Sequence, residues 1–456
     1  MSQPIRYYST NHQSEKISFR EALLQGQAPD KGLYLPDRMP QLTNDELWQF
    51  GKKSYFEIAY EVVSRFLQDE VPSNDLMAIV KDAYNFEVPL ELVYNRNYIM
   101  RLDQGPTASF KDFAARMMGR LMQYFLRQEN RKLLILTATS GDTGSAIANA
   151  FYGLDNIEVV ILFPQTEVTD RQRKQMTTLH KNISVIALDG KFDDCQALVK
   201  KAFCDPELDY LELSSANSIN IGRLLPQSVY YFYAFSKLAK SIDDSIIFSV
   251  PSGNFGDLMG GIIAKQMGLP VKRFVISTNS NDEVPVYFEK GVYKTIVPSR
   301  NSISSAMNVG HPSNMARIID LYGGVMDEKG NIHKSPDVQR LKTDMYAISI
   351  SDEQTKATIK EVYERHKILI EPHGAVGWAG LHEFFKEQPT NNNSEQLTVT
   401  LETAHPAKFP GEINQILNVD PVLPPSLHNL DQKDEIMLGM EHNYELFKAY
   451  LIKNYK

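Results

Sequence analysis

From Arg131 onward, short apolar runs alternate with stretches whose apolar residues recur every three or four positions. The runs Leu133–Thr137, Glu158–Phe163, Ile183–Leu188, Ser245–Val250, Phe274–Thr278 and Leu397–Leu401 are short and mostly apolar, the signature of strands buried on both faces. Helical periods fall between them at Ser145–Tyr152, Asp170–Leu179, Asp193–Phe203, Ile221–Leu238 and Leu258–Met267. This alternation predicts parallel sheets covered by helices, and so many segments suit two sheets with a ligand crevice between them. Upstream, to about Val93, the pattern differs and reads as an accessory region. Turn-rich Gln25–Met39 leads there into helical stretches at Asn44–Gly51, Tyr55–Leu67 and Asn74–Tyr84. No internal repeat is visible, and the one low-complexity patch, Pro389–Ser394, reads as a solvated loop.

Composition narrows the function classes. A chain of 456 residues, 43% hydrophobic and 23% charged, is ordinary globular material and too long for one core. Its net charge is −8 with Lys and Arg scattered, which argues against nucleic acid or an acidic membrane as partner. A small anion remains compatible, because backbone dipoles bind it locally. The two cysteines, Cys195 and Cys204, are too few for a disulfide framework, and no Cys/His cluster has zinc-ligand spacing. Met1–Arg20 has no apolar signal core and no later stretch is long enough to span a bilayer. The expectation is a reduced, cytoplasmic protein without a metal.

Four segments carry candidate chemistry. In Gly105-Pro-Thr-Ala-Ser-Phe-Lys-Asp-Phe-Ala114 an extended stretch turns into a helix expected over Asp112–Gln128. An amine held at that turn, Lys111, is partly desolvated and suited to attack an aldehyde; the alternative is an ordinary lysine at a helix N-terminus. Ser252-Gly-Asn-Phe-Gly-Asp257 lies between a strand and a helix, where converging amides make an anion site. It lacks the Lys-Ser/Thr of a nucleotide loop and is too short for a dinucleotide fingerprint, so a single phosphate ester fits best. A plain strand-to-helix turn fits it too, with Asp257 capping the helix and its carboxylate turned away from any phosphate. Thr137-Ala-Thr-Ser-Gly-Asp-Thr-Gly144 crowds hydroxyls and amides at another helix start, suiting a carboxylate or simple capping by Asp142 or Thr143. Thr403, just past the last strand, is placed to hydrogen-bond a ring nitrogen or to satisfy a nearby carbonyl.

Taken in order, these segments resemble the threonine synthase family, pyridoxal-5′-phosphate enzymes of the tryptophan-synthase-β-like fold, also called fold type II. The likeness extends to Lys31-Gly-Leu-Tyr-Leu-Pro36, Arg173-Lys-Gln-Met-Thr-Thr-Leu179, Ser215-Ala-Asn-Ser-Ile-Asn-Ile-Gly-Arg-Leu-Leu-Pro226, Glu371-Pro-His-Gly-Ala-Val-Gly377 and Thr403–Phe409. It implies an accessory domain over 1–96, a small α/β domain over 129–237, and a large cofactor-binding α/β domain from 97–128 and 238–456. It implies pyridoxal phosphate as cofactor and O-phospho-L-homoserine as substrate, converted with water to L-threonine and phosphate. Lys111 would be the Schiff-base lysine. Gly253, Asn254, Phe255 and Gly256, with Asp257 beside them, would hold the cofactor phosphate, and Thr403 would face the ring nitrogen. Asp142 would lie at the cofactor's hydroxyl face, with Ser140, Gly141 and Thr143 along the substrate carboxylate. Asn217, Asn220 and Arg223 would take the substrate phosphate, although Arg223 reads equally as a surface charge.

The chain departs from the family pattern in places. Asp142 stands where distant relatives carry asparagine, Glu371 and Gly374 replace Asp and Thr, and Pro164-Gln-Thr-Glu167 lacks a frequent Lys-Gly. Three other readings share the motifs: a phospho-lyase releasing 2-oxobutyrate, a serine or threonine deaminase, and a cofactor-binding protein without catalysis. Oligomeric state is not legible.

Overall fold

Ser18, Thr43 and Ser54 are each followed three residues later by a glutamate, and each opens a helix. The carboxylates of Glu21, Glu46 and Glu57 accept from the amides of those residues at 2.7, 2.8 and 2.7 Å. These caps start the helices Phe19–Gln25, Asn44–Gln49 and Tyr55–Leu67 in the computed structural model, which describes residues 4–388 and 395–455. The patch Pro389–Ser394 lies outside the described residues. A further helix, Ser73–Ala83, completes the accessory region's helical part.

The apolar runs pair as expected of buried strands. In the larger sheet the order is Met345–Ser349, Val271–Thr278, Ile246–Pro251, Leu397–Glu402, Asn97–Arg101, Leu90–Tyr94. All neighbours are parallel except the last two, which form a hairpin. The smaller sheet runs Leu438–Glu441, Ile183–Asp189, Ile157–Pro164, Leu133–Ala138, Leu213–Ser214 and is parallel throughout. Helices cover both, as parallel strands require.

Several boundaries differ from the sequence reading. The hairpin Leu90–Arg101 belongs to the larger sheet, so residues 90–96 are not part of an accessory unit. The strand Leu438–Glu441 joins the smaller sheet, and the helix Tyr444–Asn454 packs Phe447 and Leu451 with Ile186, Leu188 and Leu198. The C-terminal segment thus returns to the smaller sheet, where it covers an edge that would otherwise be bare. The period at Ile221–Leu238 is not one helix. A 3₁₀ turn over Ile221–Arg223 precedes the helix Leu225–Leu238, whose first turn contains Pro226, a residue that begins helices but cannot continue them.

Strands Ile246–Pro251 and Leu397–Glu402 lie side by side, with Leu397 opposite Ile246 and Thr400 opposite Ser249. Their C-terminal ends therefore open at one level, where open parallel sheets bind ligands. Phe113 fixes the helix Lys111–Glu129 against this frame. Its ring meets Tyr55 and Phe86 at 5.4 and 4.9 Å between centroids and Tyr230 at 5.7 Å, a cluster joining the accessory helices to the larger core.

Candidate active site

The buried carboxylate of Asp112 accepts from the Thr107 amide at 2.8 Å and its hydroxyl at 2.6 Å. That tight turn starts the helix at Lys111, one residue earlier than expected, and aims the amine into a crevice of about 830 Å³ with its open mouth included. The size is right for a small cofactor and substrate together. The Lys111 side chain is 13% exposed, with Nζ 4.5 Å from the centre of the Phe110 ring and 3.9 Å from Asp142 Oδ2. Burial lowers its pKa below the usual lysine value, Lys408 and Arg223 add to the lowering, and Asp142 and Asp257 oppose it.

Asp142 begins the helix Asp142–Phe151 behind Gly141, whose φ of +126° suits glycine alone; a Cβ there would stand 2.5 Å from Gln172. Asp142 Oδ1 receives Lys408 Nζ at 2.6 Å and Gln172 Nε2 at 2.8 Å. Burial works to raise its pKa, but Lys408, then Lys111, hold the carboxyl well below the usual range. Lys408 is fully buried and also donates to the Thr107 carbonyl at 3.0 Å.

In the segment after strand Ile246–Pro251, Phe255 takes a left-handed φ of 60° and the helix Gly256–Gln266 begins beyond it. Among the described residues, the amides of Gly253, Asn254 and Phe255 have no hydrogen-bond acceptor and lie at a helix N-terminus. The Asp257 carboxylate lines the crevice and accepts from the first-turn amide of Leu258 at 2.9 Å, while Phe255 holds the N-cap position. Burial pushes its pKa up to about 6, reducing the charge it presents.

Past the neighbouring strand, Thr403 Oγ donates to Glu371 Oε1 at 3.4 Å, a long bond. Glu371 is the N-cap of the helix Pro372–Glu387, accepting from the amides of His373 and Gly374 and holding His373 Nδ1 at 2.5 Å. The Ala306 amide donates to His373 Nε2 at 3.0 Å, which fixes the ring on the crevice wall with its proton on Nδ1. Glu402 sits below, receiving the Glu371 amide at 2.7 Å. Burial and the Glu371 charge push its pKa well up. A Cβ at position 374 would fall 1.6 Å from Glu402 Oε2, which explains the glycine there.

The structure brings together Lys111, Ser140, Asp142, Thr143, Asn217, Arg223, Gly253, Asn254, Phe255, Gly256, Asp257 and Thr403 around the crevice. Two expected residues do not line it. Gly141 donates its amide to Thr139 Oγ at 2.9 Å. Asn220 is buried with its amide nitrogen on the carbonyls of Leu23 and Ser215 and its oxygen on the Gly222 amide, so it clamps the loop to the accessory region. Arg223 is no surface charge: it is 3% exposed, donates to the Ala216 carbonyl at 2.6 Å and leaves Nε unpartnered. Burial lowers its pKa to about 10, still a cation at neutral pH. Asn217 also keeps a buried oxygen unpartnered. Nothing in the sequence around His373 or Lys408 marks either residue, although both stand in the motifs Glu371–Gly377 and Thr403–Phe409.

Comparison with known proteins bears on this arrangement. The family model described as "Threonine synthase N terminus" matches residues 6–84, "Pyridoxal-phosphate dependent enzyme" matches 90–401, and "Threonine synthase, C-terminal" matches 374–451. A threonine synthase from Haemophilus influenzae is 41% identical over 451 residues, 98% of this chain and 99% of its own. One from Escherichia coli K12 is 38% identical over 424 residues, covering 93% of this chain and 94% of its own. Among solved structures, pyridoxal-phosphate-bound threonine synthase from Brucella melitensis superposes with a TM-score of 0.90 at 34% identity, covering 99% of this chain and all of the other.

Proposed function

We propose that this chain, which belongs to the threonine synthase family of pyridoxal-phosphate-dependent enzymes, converts O-phospho-L-homoserine and water to L-threonine and phosphate. The observation that carries the reading is a buried lysine of lowered proton affinity opposite unpartnered amides at a helix N-terminus.

The residues present fit the cofactor. Free amides at Gly253, Asn254 and Phe255, with Gly256 opening the helix, suit its phosphate. Lys111 would hold its aldehyde, Thr403 would face its ring nitrogen, and Asp142 and Asp257 flank the amine. When bound, pyridoxal phosphate supplies an aldehyde for the substrate amine and a ring that accepts the electrons released at carbon.

The chain's own residues supply positioning and proton transfer. Burial and two neighbouring cations favour a neutral Lys111 amine, which takes the proton from the substrate α-carbon and returns protons later in the reaction. Ser140 and Thr143 offer hydroxyls to the substrate carboxylate from the N-terminus of a helix. Arg223, a buried guanidinium with a free Nε, takes the substrate phosphate; Asn217 does not join it in this arrangement, because its amide nitrogen donates to the Ala138 carbonyl at 3.2 Å and its free oxygen is an acceptor. His373 and Phe192 wall the crevice.

The same reading assigns the protein to the cytoplasm, in keeping with two free cysteines, Cys195 and Cys204. Among the described residues, no helix is long and apolar enough to cross a membrane. The deciding experiment incubates purified holoenzyme with O-phospho-L-homoserine and follows phosphate together with the organic product. Threonine in step with phosphate supports the proposal; 2-oxobutyrate in its place, or no phosphate, overturns it. Borohydride reduction should also fix the cofactor to Lys111, and an adduct elsewhere would refute that assignment.

A further inference from the structure

Three segments from distant parts of the sequence meet at one buried ammonium. Lys408 lies in the 3₁₀ turn Pro406–Lys408 beyond the last strand of the larger sheet. Its Nζ reaches Asp142 Oδ1 at 2.6 Å on the smaller-sheet side, and the Thr107 carbonyl at 3.0 Å in the loop that delivers Lys111. Asp142 Oδ1 is further held by Gln172 Nε2 at 2.8 Å, which leaves Oδ2 as the oxygen facing Lys111 Nζ, 3.9 Å away. Lys408 and Asp142 are 0% and 2% exposed, so water does not screen them.

We propose that Lys408 is a positioning residue for Lys111, holding the Asp142 carboxylate by Oδ1 so that its other oxygen is presented to the reactive amine. Lys408 touches neither the crevice nor the reacting atoms; it acts by holding and neutralising Asp142, and its own charge adds to the lowering at Lys111. Without it Asp142 has lost its strongest partner and the charge left in that pocket falls on Lys111 alone, which is then held as an ammonium. With it, the pair is close to neutral as Lys111 sees it, and burial is free to favour the amine. The other charged groups facing Lys111 come from two further elements, Arg223 from the Ile221–Arg223 turn and Asp257 from the helix Gly256–Gln266, while the buried carboxyl of Asp112 is bonded to Thr107 and lies near Lys408. His405 stands near Lys408, its pKa lowered by burial.

The inference rests on the reading of Lys111 as the reactive amine, and its test uses no substrate, so the two fail separately. Full-length, cofactor-depleted protein is exposed to limiting acetic anhydride across a pH series, and acetylation of Lys111 is quantified by mass spectrometry. Lys408→Met should raise the Lys111 midpoint, and Asp142→Asn should lower it, each by about one to three pH units on the scale of a charge removed within a few ångströms. Where Lys408→Met does not fold, Lys408→Met/Asp142→Asn replaces it and should titrate above Asp142→Asn alone. Opposite displacements are the signature of the charges of the Lys408–Asp142 pair; loss of packing would not produce them. Displacement of both variants in one direction, no displacement, or a double variant that titrates with Asp142→Asn would overturn the proposal.

Discussion

The amide of Phe110 donates to the carbonyl oxygen of Thr403 at 2.8 Å, so the residue before the reactive lysine hangs from the end of the last strand of the larger sheet. The attachment continues on both sides, with a bridge between Ser109 and Ala404 and a bond from the His405 amide to the Ala108 carbonyl. Lys111 and Thr403 are therefore set in one rigid unit, and the amine is aimed by backbone bonds.

Lys111→Ala should reduce phosphate release from O-phospho-L-homoserine by about 10⁴-fold or more, the upper scale of a lost general acid–base group. Thermal unfolding of the variant should stay near that of the unmodified protein, because the backbone bonds that place residue 111 survive. Turnover near the original rate would remove the lysine from the mechanism.

Arg223 and Asn220 should separate cleanly. Arg223→Met should raise KM for the phosphorylated substrate by about tenfold to a hundredfold, the loss of a charge-assisted bond worth about 1.5–3 kcal/mol. Asn220→Ala leaves the carbonyls of Leu23 and Ser215 and the Gly222 amide without partners, so it should cost about 1–3 kcal/mol of stability in urea unfolding. A rise in KM with Asn220→Ala at unchanged stability would restore it to the substrate site.

Thr403→Asp should alter the holoenzyme's visible spectrum and increase 2-oxobutyrate relative to threonine. The new carboxylate would stand beside Glu371, whose Oε1 is 3.4 Å from the present hydroxyl, and repulsion there should also lower the melting temperature. An unchanged spectrum and product ratio would place Thr403 away from the cofactor ring.

Gly374→Ala drives a methyl group into Glu402 Oε2, and overpacking of this kind costs about 1–3 kcal/mol. Glu402→Ala itself unpairs the Glu371 amide, so it lowers stability alone, but Gly374→Ala should cost much less in the Glu402→Ala background than in the unmodified protein. Urea unfolding of the four proteins in the cycle measures the coupling, and additive effects would count against the contact.

Glu283 begins the helix Glu283–Lys290 away from the crevice, with one carboxyl oxygen buried and unpartnered. Burial raises its pKa from 4.5 to about 7, so the folded chain binds the proton more tightly than the unfolded one. Its contribution to stability is complete below pH 4.5 and is lost as pH rises through 7, by about 3 kcal/mol in all. Glu283→Gln should remove that loss, and equal pH dependence of the two proteins in urea unfolding would refute it.

The sequence was most legible where burial was uniform. Strands such as Ile157–Pro164 and Ile183–Asp189 carry continuous apolar runs because both faces are covered, and Tyr55–Leu67 carries a clear helical period with its cap. The strands Leu90–Tyr94 and Leu438–Glu441 went unread because they lie at sheet edges, half-exposed, with no such run. Met345–Ser349, also at an edge, is only half-apolar. At the site, Lys111, Thr403 and the glycine loop stand out because their neighbours in sequence are also their neighbours in space. Lys408 does not, since its partners Asp142 and Thr107 come from remote segments and nothing near it marks a buried lysine.

The strand Leu438–Glu441 is also a matter of timing. The sheet that presents Ser140 and Asp142 cannot be finished until Leu438–Glu441 has left the ribosome, about 250 residues after its neighbour, and until then Ile183–Asp189 exposes unpaired backbone to any other strand it meets. A nonsense mutation or proteolytic nick just before Leu438 would leave every residue around the crevice in place and still hand the cell an aggregation-prone product.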